Sequence, residues 1–181
     1  MIRCLFSVCL WSAICCAHAA ILEGRIVGVA DGDTVTLLDS KNQQHRIRIA
    51  GIDAPEKGQA FGNRPQQNLS RMSHRNDATA QCHKIDQYGR PVCKVWVQPN
   101  DCPRCGKTLD VGMAQIIAGM AWWYRQYANE QSAEDRGRYE SSEDEARLRK
   151  RGLWVDQDPA PPWVWRRDNG NKNKTYDQKQ F

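Results

Sequence analysis

The sequence predicts an α+β domain, with short strands dominating its first half and helices its second. Three observations predict it. Residues 44–52 alternate, Ile47 and Ile49 facing one way and Arg46 and Arg48 the other, which is the two-residue period of a half-buried strand. Asp31-Gly32-Asp33 separates two short β-branched or apolar runs, and an Asp-Gly pair in that setting signals a hairpin. Residues 132–152 have the charge order of a helix: Ser132 and Asp135 at capping-box spacing, acidic Glu140, Glu143, Asp144 and Glu145, then basic Arg147, Arg149, Lys150 and Arg151, with Gly152 as the stop.

The chain has 181 residues and a net charge of +5, a length that suits one domain with spare residues at its ends. Residues 1–19 are expected to be a signal peptide. Arg3 precedes an apolar run from Cys4 to Cys16, and Ala17-His18-Ala19 gives an A-x-A cleavage site. At 1.5 Å per residue the run reaches about 20 Å, too short for a bilayer core of roughly 30 Å. The protein is therefore expected to be exported, periplasmic or secreted, without stable membrane association after cleavage. The mature domain spans residues 20–165. Residues 166–181, with five basic and two acidic side chains, read as a disordered basic tail. Without the leader and that tail the body is almost neutral, so overall charge gives no argument for a nucleic-acid partner.

Within the body, residues 25–30 and 34–38 read as the strands of the first hairpin. Residues 93–97 read as another strand, led by the turn Asp86-Gln87-Tyr88-Gly89, with 79–85 as its partner. Helices are expected over about 59–75, 110–120 and 132–152. Glu143–Arg147 and Glu145–Arg149 have i,i+4 spacing, so the arginine run reads as a solvated helix face. Residues 159–165, rich in proline and tryptophan, read as extended and packed back on the body. His45, His74 and His83 show no metal-ligand spacing, and there is no glycine-rich phosphate loop or serine or cysteine nucleophile motif.

The chemistry lies in acids and arginines at turns. Asp31 and Asp33 flank Gly32, and Asp53 and Glu56 lie in Gly51-Ile52-Asp53-Ala54-Pro55-Glu56. Carboxylates at strand ends beside free carbonyls offer the oxygen ligands a hard divalent cation needs. Arg48 precedes Asp53, and Arg90 follows the Gly89 turn. Two guanidiniums beside a carboxylate-held cation make a phosphoryl-transfer site by type.

Val29-Ala30-Asp31-Gly32-Asp33-Thr34-Val35, Arg46 through Glu56, and Asp86-Gln87-Tyr88-Gly89-Arg90 together resemble the staphylococcal nuclease (thermonuclease) family. Gly119-Met120-Ala121-Trp122 and residues 146–154 extend the resemblance through its last two helices. It implies an OB-fold five-stranded β-barrel with three α-helices, and Ca²⁺-dependent hydrolysis of DNA and RNA, with Mg²⁺ as the other candidate cation. By this resemblance Asp33 and Asp53 are side-chain metal ligands, Ala54 supplies a backbone carbonyl, and Asp31 is a supporting acid. Glu56 activates or orients water, and Arg48 and Arg90 clamp phosphate. Tyr88, Tyr124 and Tyr127 are the candidates for holding substrate. The chain departs from the pattern at Gln87, where the prototype has lysine, in a shorter loop after Glu56, and in an insertion at residues 101–107. The alternatives are a non-catalytic OB-fold module for single-stranded nucleic acid, built on Trp122, Trp123, Tyr124 and Tyr127, and a zinc-stabilised exported interaction protein. No protein partner is implied.

Four cysteines follow the leader: Cys82, Cys93, Cys102 and Cys105. A turn centred near Gln87-Tyr88 places Cys82 opposite Cys93, within disulfide range. Cys102 and Cys105 then pair with each other. The rival is one zinc on all four thiolates, but only Cys102-Pro103-Arg104-Cys105 has knuckle spacing, and export favours oxidation.

Overall fold

The computed structural model describes residues 20–177. The expected leader, residues 1–19, and the last four residues of the tail lie outside them. Five strands form a closed barrel: β1 (Ala20–Val29), β2 (Thr34–Asp39), β3 (Gln44–Ile49), β5 (Asp77–Ile85) and β6 (Pro91–Val97). β1–β2–β3 is an antiparallel meander, β1 also pairs with β5, and β5 pairs with β6. Closure comes from a short parallel pairing of β3 with β6, Arg48 opposite Val92 and Ile49 opposite Cys93. Two short strands, β4 (Ile52–Asp53) and β8 (Trp122–Trp123), pair antiparallel beside the barrel, and β7 (Leu109–Asp110) extends the β6 edge.

The period-2 pattern correctly sorts the strand faces. Ile47 and Ile49 are buried with Ile26, Val35, Leu37, Val95 and Val97, while Arg46 is exposed. The interior is sealed by α1 (Arg64–Ser73) through Leu69, by α2 (Val111–Ile117) through Val111 and Ile116, and by α3 (Ala133–Leu148) through Tyr139. A second apolar cluster joins Trp122, Ala146, Leu153 and Trp154 under the far end of α3.

The helices are shorter than the sequence pattern suggests, each for a local reason. α1 begins only at Arg64, with Pro65 in its first turn, where a missing N–H costs nothing. α2 starts where Asp110 accepts from the backbone N–H groups of Gly112 and Met113, and its last turn is followed by Gly119 at φ +65°. α3 is capped by Ser132, whose Oγ accepts from Asp135 N at 3.0 Å. It stops at Leu148, ahead of the Gly152 stop, because Lys150 already takes φ +50°.

One expectation is corrected. Residues 162–177 form a fourth helix, α4 (Pro162–Asp177), where the sequence suggested an extended segment followed by a disordered tail. Two prolines read as a break, but Pro162 is the first helical residue, and proline's fixed φ suits that position. The Pro161 carbonyl then accepts from Val164 N and Trp165 N, each at 3.1 Å. Tertiary contacts of Trp163 and Arg166, described below, hold the helix on the barrel.

The hairpin joining β5 and β6 closes between Asp86 and Arg90, with Asp86 N donating to Arg90 O at 2.9 Å. That turn is wider than one centred on Gln87-Tyr88. A bulge between Cys82 and Lys84 compensates, and Cys82 faces Cys93 as the simple register required. The structure joins Cys82 to Cys93 and Cys102 to Cys105. No helix among the described residues is long and apolar enough to cross a membrane.

Candidate active site

The β1–β2 hairpin turn delivers the first carboxylates. Asp33 N donates to Asp31 Oδ1 at 3.1 Å, a local bond of the kind that stabilises Asp turns. Gly32 is held from behind by α2. The buried Gln115 side chain donates to Gly32 O at 2.7 Å and to Pro65 O at 3.0 Å. A Cβ on Gly32 would lie 2.4 Å from Pro65 Cβ and 2.5 Å from Ala54 Cβ, so only glycine fits this crossing of turn, helix and loop.

The second carboxylate arrives on β4. Gly51, at φ +74°, ends β3's course and lets the chain swing across the barrel mouth. Pairing of Asp53 with Trp122 then fixes the strand. Asp53 is 1% exposed and Asp33 8%. Ala54 N donates to Asp33 Oδ2 at 2.9 Å, joining the two turns directly. Arg48, next to the closure, bridges both acids: Nη1 lies 3.0 Å from Asp33 Oδ2 and Nη2 3.1 Å from Asp53 Oδ1. Burial pushes the Asp33 carboxyl up to about 7 against the opposing pull of Arg48, and the negative charges of Asp31 and Asp53 add to the rise.

Glu56, Arg90, Tyr88, Tyr124 and Tyr127 line the same cleft of about 620 Å³. Arg90 is aimed by the hairpin turn. Asp86 Oδ2 accepts from its Nε at 2.8 Å, and its Nη1 lies 3.5 Å from Thr34 Oγ1. Burial alone would raise the Asp86 carboxyl, but hydrogen bonds from Arg90 outweigh it and hold the group below the usual carboxylate range. Tyr88 projects from the rim, 74% exposed. Tyr124 and Tyr127 meet edge to face with ring centroids 4.9 Å apart. They sit at the start of and within the 3₁₀ turn that follows β8. Burial, followed by the Asp53 charge, raises the Tyr124 hydroxyl above its ordinary value.

The structure therefore brings together every residue singled out in the acid and arginine motifs. It adds two from α4 that the sequence did not mark. Arg166 Nη2 lies 2.7 Å from Asp53 Oδ2, and its Nη1 lies 2.8 Å from Glu56 Oε1. The Trp163 ring stacks on Tyr124 at 5.4 Å with planes 9° apart. Gln115 and Glu143 were missed too. Glu143 accepts from Trp123 N at 3.1 Å and anchors β8 behind Asp53. The i,i+4 charge pattern had assigned Glu143 to a solvated face, yet it is fully buried.

Among the described residues no group of three or more His, Cys, Asp or Glu side chains forms a ready cage for a metal. The donor chemistry nonetheless fits a hard cation. Two buried carboxylates converge on the Arg48 guanidinium, with the Thr34 hydroxyl and the Ala54 N–H also donating to Asp33. Carboxylate oxygens on adjoining turns are the donors such a cation takes.

A family model described as "Staphylococcal nuclease homologue" matches residues 46–156. The chain is 39% identical over 153 residues to "Protein ParB" of Escherichia coli, covering 84% of each protein. It is 38% identical over 154 residues to "Micrococcal nuclease" of Shigella flexneri, again 84% of each. With a Haemophilus influenzae protein named as an uncharacterized endonuclease it shares 31% identity over 157 residues, 87% of this chain and 79% of the other. The barrel, the paired acids between its strands and these matches agree, and the chain belongs to the staphylococcal nuclease family.

Proposed function

We propose that this protein is an exported, Ca²⁺-dependent endonuclease that hydrolyses phosphodiester bonds of DNA or RNA. One observation carries the reading: a buried carboxylate pair, Asp33 and Asp53, bridged by Arg48 at the floor of a cleft onto which Glu56 and Arg90 also open. A module that only binds nucleic acid gains nothing from such acids, which repel phosphate; a phosphodiesterase uses them to concentrate positive charge where phosphate must sit.

Asp33, Asp53 and the Ala54 carbonyl would hold the cation. When bound, the cation supplies charge neutralisation at a non-bridging phosphate oxygen, with Ca²⁺ proposed and Mg²⁺ the other candidate. The residues of the chain do the remaining work. Arg48 and Arg90 bind the equatorial oxygens and stabilise the charge that grows on them. Glu56 takes a proton from the attacking water and orients it in line with the leaving oxygen. Tyr88, Tyr124 and Tyr127, which line the cleft, would hold the substrate.

The decisive assay uses mature protein on single-stranded and duplex DNA and RNA, with Ca²⁺, with Mg²⁺ and with chelator. Cleavage is expected only with a divalent cation. Glu56→Gln and Arg90→Ala should each lower turnover by at least about a hundredfold. Full activity in chelator, or normal turnover by Glu56→Gln, would overturn the mechanism. Export is tested by intact mass: protein made with its own leader should lose residues 1–19, and retention of that segment in the exported material would refute the leader.

A further inference from the structure

α4 reaches into the cleft at two points that the proposed chemistry needs. The first is the carboxylate pair. Arg166 donates Nη2 to Asp53 Oδ2 at 2.7 Å and Nη1 to Asp53 Oδ1 at 3.2 Å, while Nη1 also reaches Glu56 Oε1 at 2.8 Å. With Arg48 Nη2 on Oδ1, both oxygens of Asp53 are occupied by guanidinium. A cation on Asp53 would sit within about 2.6 Å of the same oxygens, against the positive charge of Arg166. The second point is aromatic. Trp163 lies flat on Tyr124 and edge-on to Trp122, with centroids 6.4 Å apart. A nucleobase stacking on that face of Tyr124 would need the same space.

Arg166 does not fit a catalytic role in this pose. A guanidinium bonded to Glu56 Oε1 at 2.8 Å occupies the oxygen that would have to reach the attacking water. Nor is Arg166 locked in place, since its side chain is 41% exposed. The remaining anchors of α4 are light: Gln59 Nε2 donates to the Ala160 carbonyl at 2.6 Å, and the Trp165 ring rests beside Gly58. Such a helix can leave the barrel without unfolding it, because none of its described side chains belongs to the barrel core and, of them, only Trp163 packs against the second apolar cluster.

We propose that α4 is an intramolecular competitor at the active site, docked through Arg166 and Trp163 in place of cation and nucleobase, and released when both bind. The proposal rests on the reading of the cleft as a metal-dependent nuclease site. It makes the protein self-latched: Arg166 neutralises the carboxylates when substrate is absent, and the cation and nucleic acid together displace it.

The test uses the whole mature chain. Ca²⁺ affinity is measured by calorimetry for wild type, Arg166→Ala and Arg166→Gln. Both variants should bind Ca²⁺ about tenfold more tightly, the size expected for losing one charge-assisted competitor that is partly exposed. Trp163→Ala should tighten binding of a phosphorothioate dinucleotide several-fold in the presence of Ca²⁺. In wild type, amide hydrogen exchange across residues 163–169 should rise about tenfold when Ca²⁺ and that dinucleotide are added, as expected for a helix that undocks. Unchanged Ca²⁺ affinity in both Arg166 variants, or slower exchange in α4 on adding ligands, would overturn the latch while leaving the nuclease site standing. Absence of Ca²⁺ binding in every protein would overturn the metal reading, and the latch with it.

Discussion

Glu143→Ala should destabilise the protein by about 2–4 kcal/mol, and Glu143→Gln by no more than about half of that. The Glu143 side chain is fully buried on α3. Its Oε1 accepts from Trp123 N at 3.1 Å, and Oε2 meets Arg125 Nη1 at 2.6 Å and Arg147 Nη2 at 3.3 Å. The two arginine side chains are 46% and 45% exposed, so on loss of the acid they return to water at little cost. The backbone N–H of Trp123 cannot. Stranding it costs about 1–3 kcal/mol, and the lost side-chain packing adds about 1 kcal/mol more. Glutamine keeps an acceptor for that N–H and loses mainly the half-solvated ion pairs. Urea unfolding followed by circular dichroism gives the two values, and hydrogen exchange at Trp123 gives the local one. Because β8 carries β4 and Asp53, the alanine variant should also lose cleavage activity beyond its loss of stability. Equal costs for alanine and glutamine would show that charge, not the backbone acceptor, is what Glu143 supplies, and the reasoning would fail.

Three further outcomes are expected. Replacing Cys82 and Cys93 together with serine should cost about 3 kcal/mol, from the chain entropy of the short loop they close; a wild-type urea midpoint that does not move on reduction would contradict this. Gly32→Ala should lower cleavage at least about tenfold by forcing Asp33 and Ala54 apart, which a crystal structure of the variant can check; activity like wild type would mean the crossing is looser than its 2.4 Å approach. Asp86→Asn probes pH. The folded state holds Asp86 below its ordinary value because hydrogen bonds from Arg90 outweigh burial, so its contribution is present above the unfolded value of about 4 and is lost as pH falls through the folded value. The variant should therefore be less stable than wild type near pH 7, with the gap closing as pH falls through the acid range; a gap that does not change with pH would refute the assignment.

The acids and arginines were legible because each sits in a contiguous motif whose local geometry repeats: a turn with Asp33, a strand with Arg48, a strand end with Asp53 and Glu56, a hairpin with Arg90. The strand faces were legible because Ile47 and Ile49 alternate with Arg46 and Arg48. Gln115 and Glu143 were not, since a polar residue on a helix becomes a buttress only through partners far away in sequence. Gln115 meets Gly32, and Glu143 meets Trp123. Tyr124 and Tyr127 were legible only as candidates, since their place at the cleft depends on α2 stopping at Ile117 and on Gly119 turning the chain into β8. α4 was hidden for a related reason. Its prolines and polar composition carry no apolar period, and its docking depends on Trp163 and Arg166 finding a ready surface.

The way the barrel closes also orders events in time. The β1–β2–β3 meander and the β5–β6 hairpin each join neighbours in sequence, so their loops are short and close quickly. The parallel seam of β3 with β6 must wait for both pieces. The pairing of Ile52 with Trp123 spans a still longer stretch of chain and offers only two residues on each side. A topology weighted to such distant partners folds on the millisecond-to-second scale, not in microseconds. The strand that seats Asp53 thus closes one of the longest loops for one of the smallest gains in contact, and a chain can hold its hydrophobic core before it holds an active site.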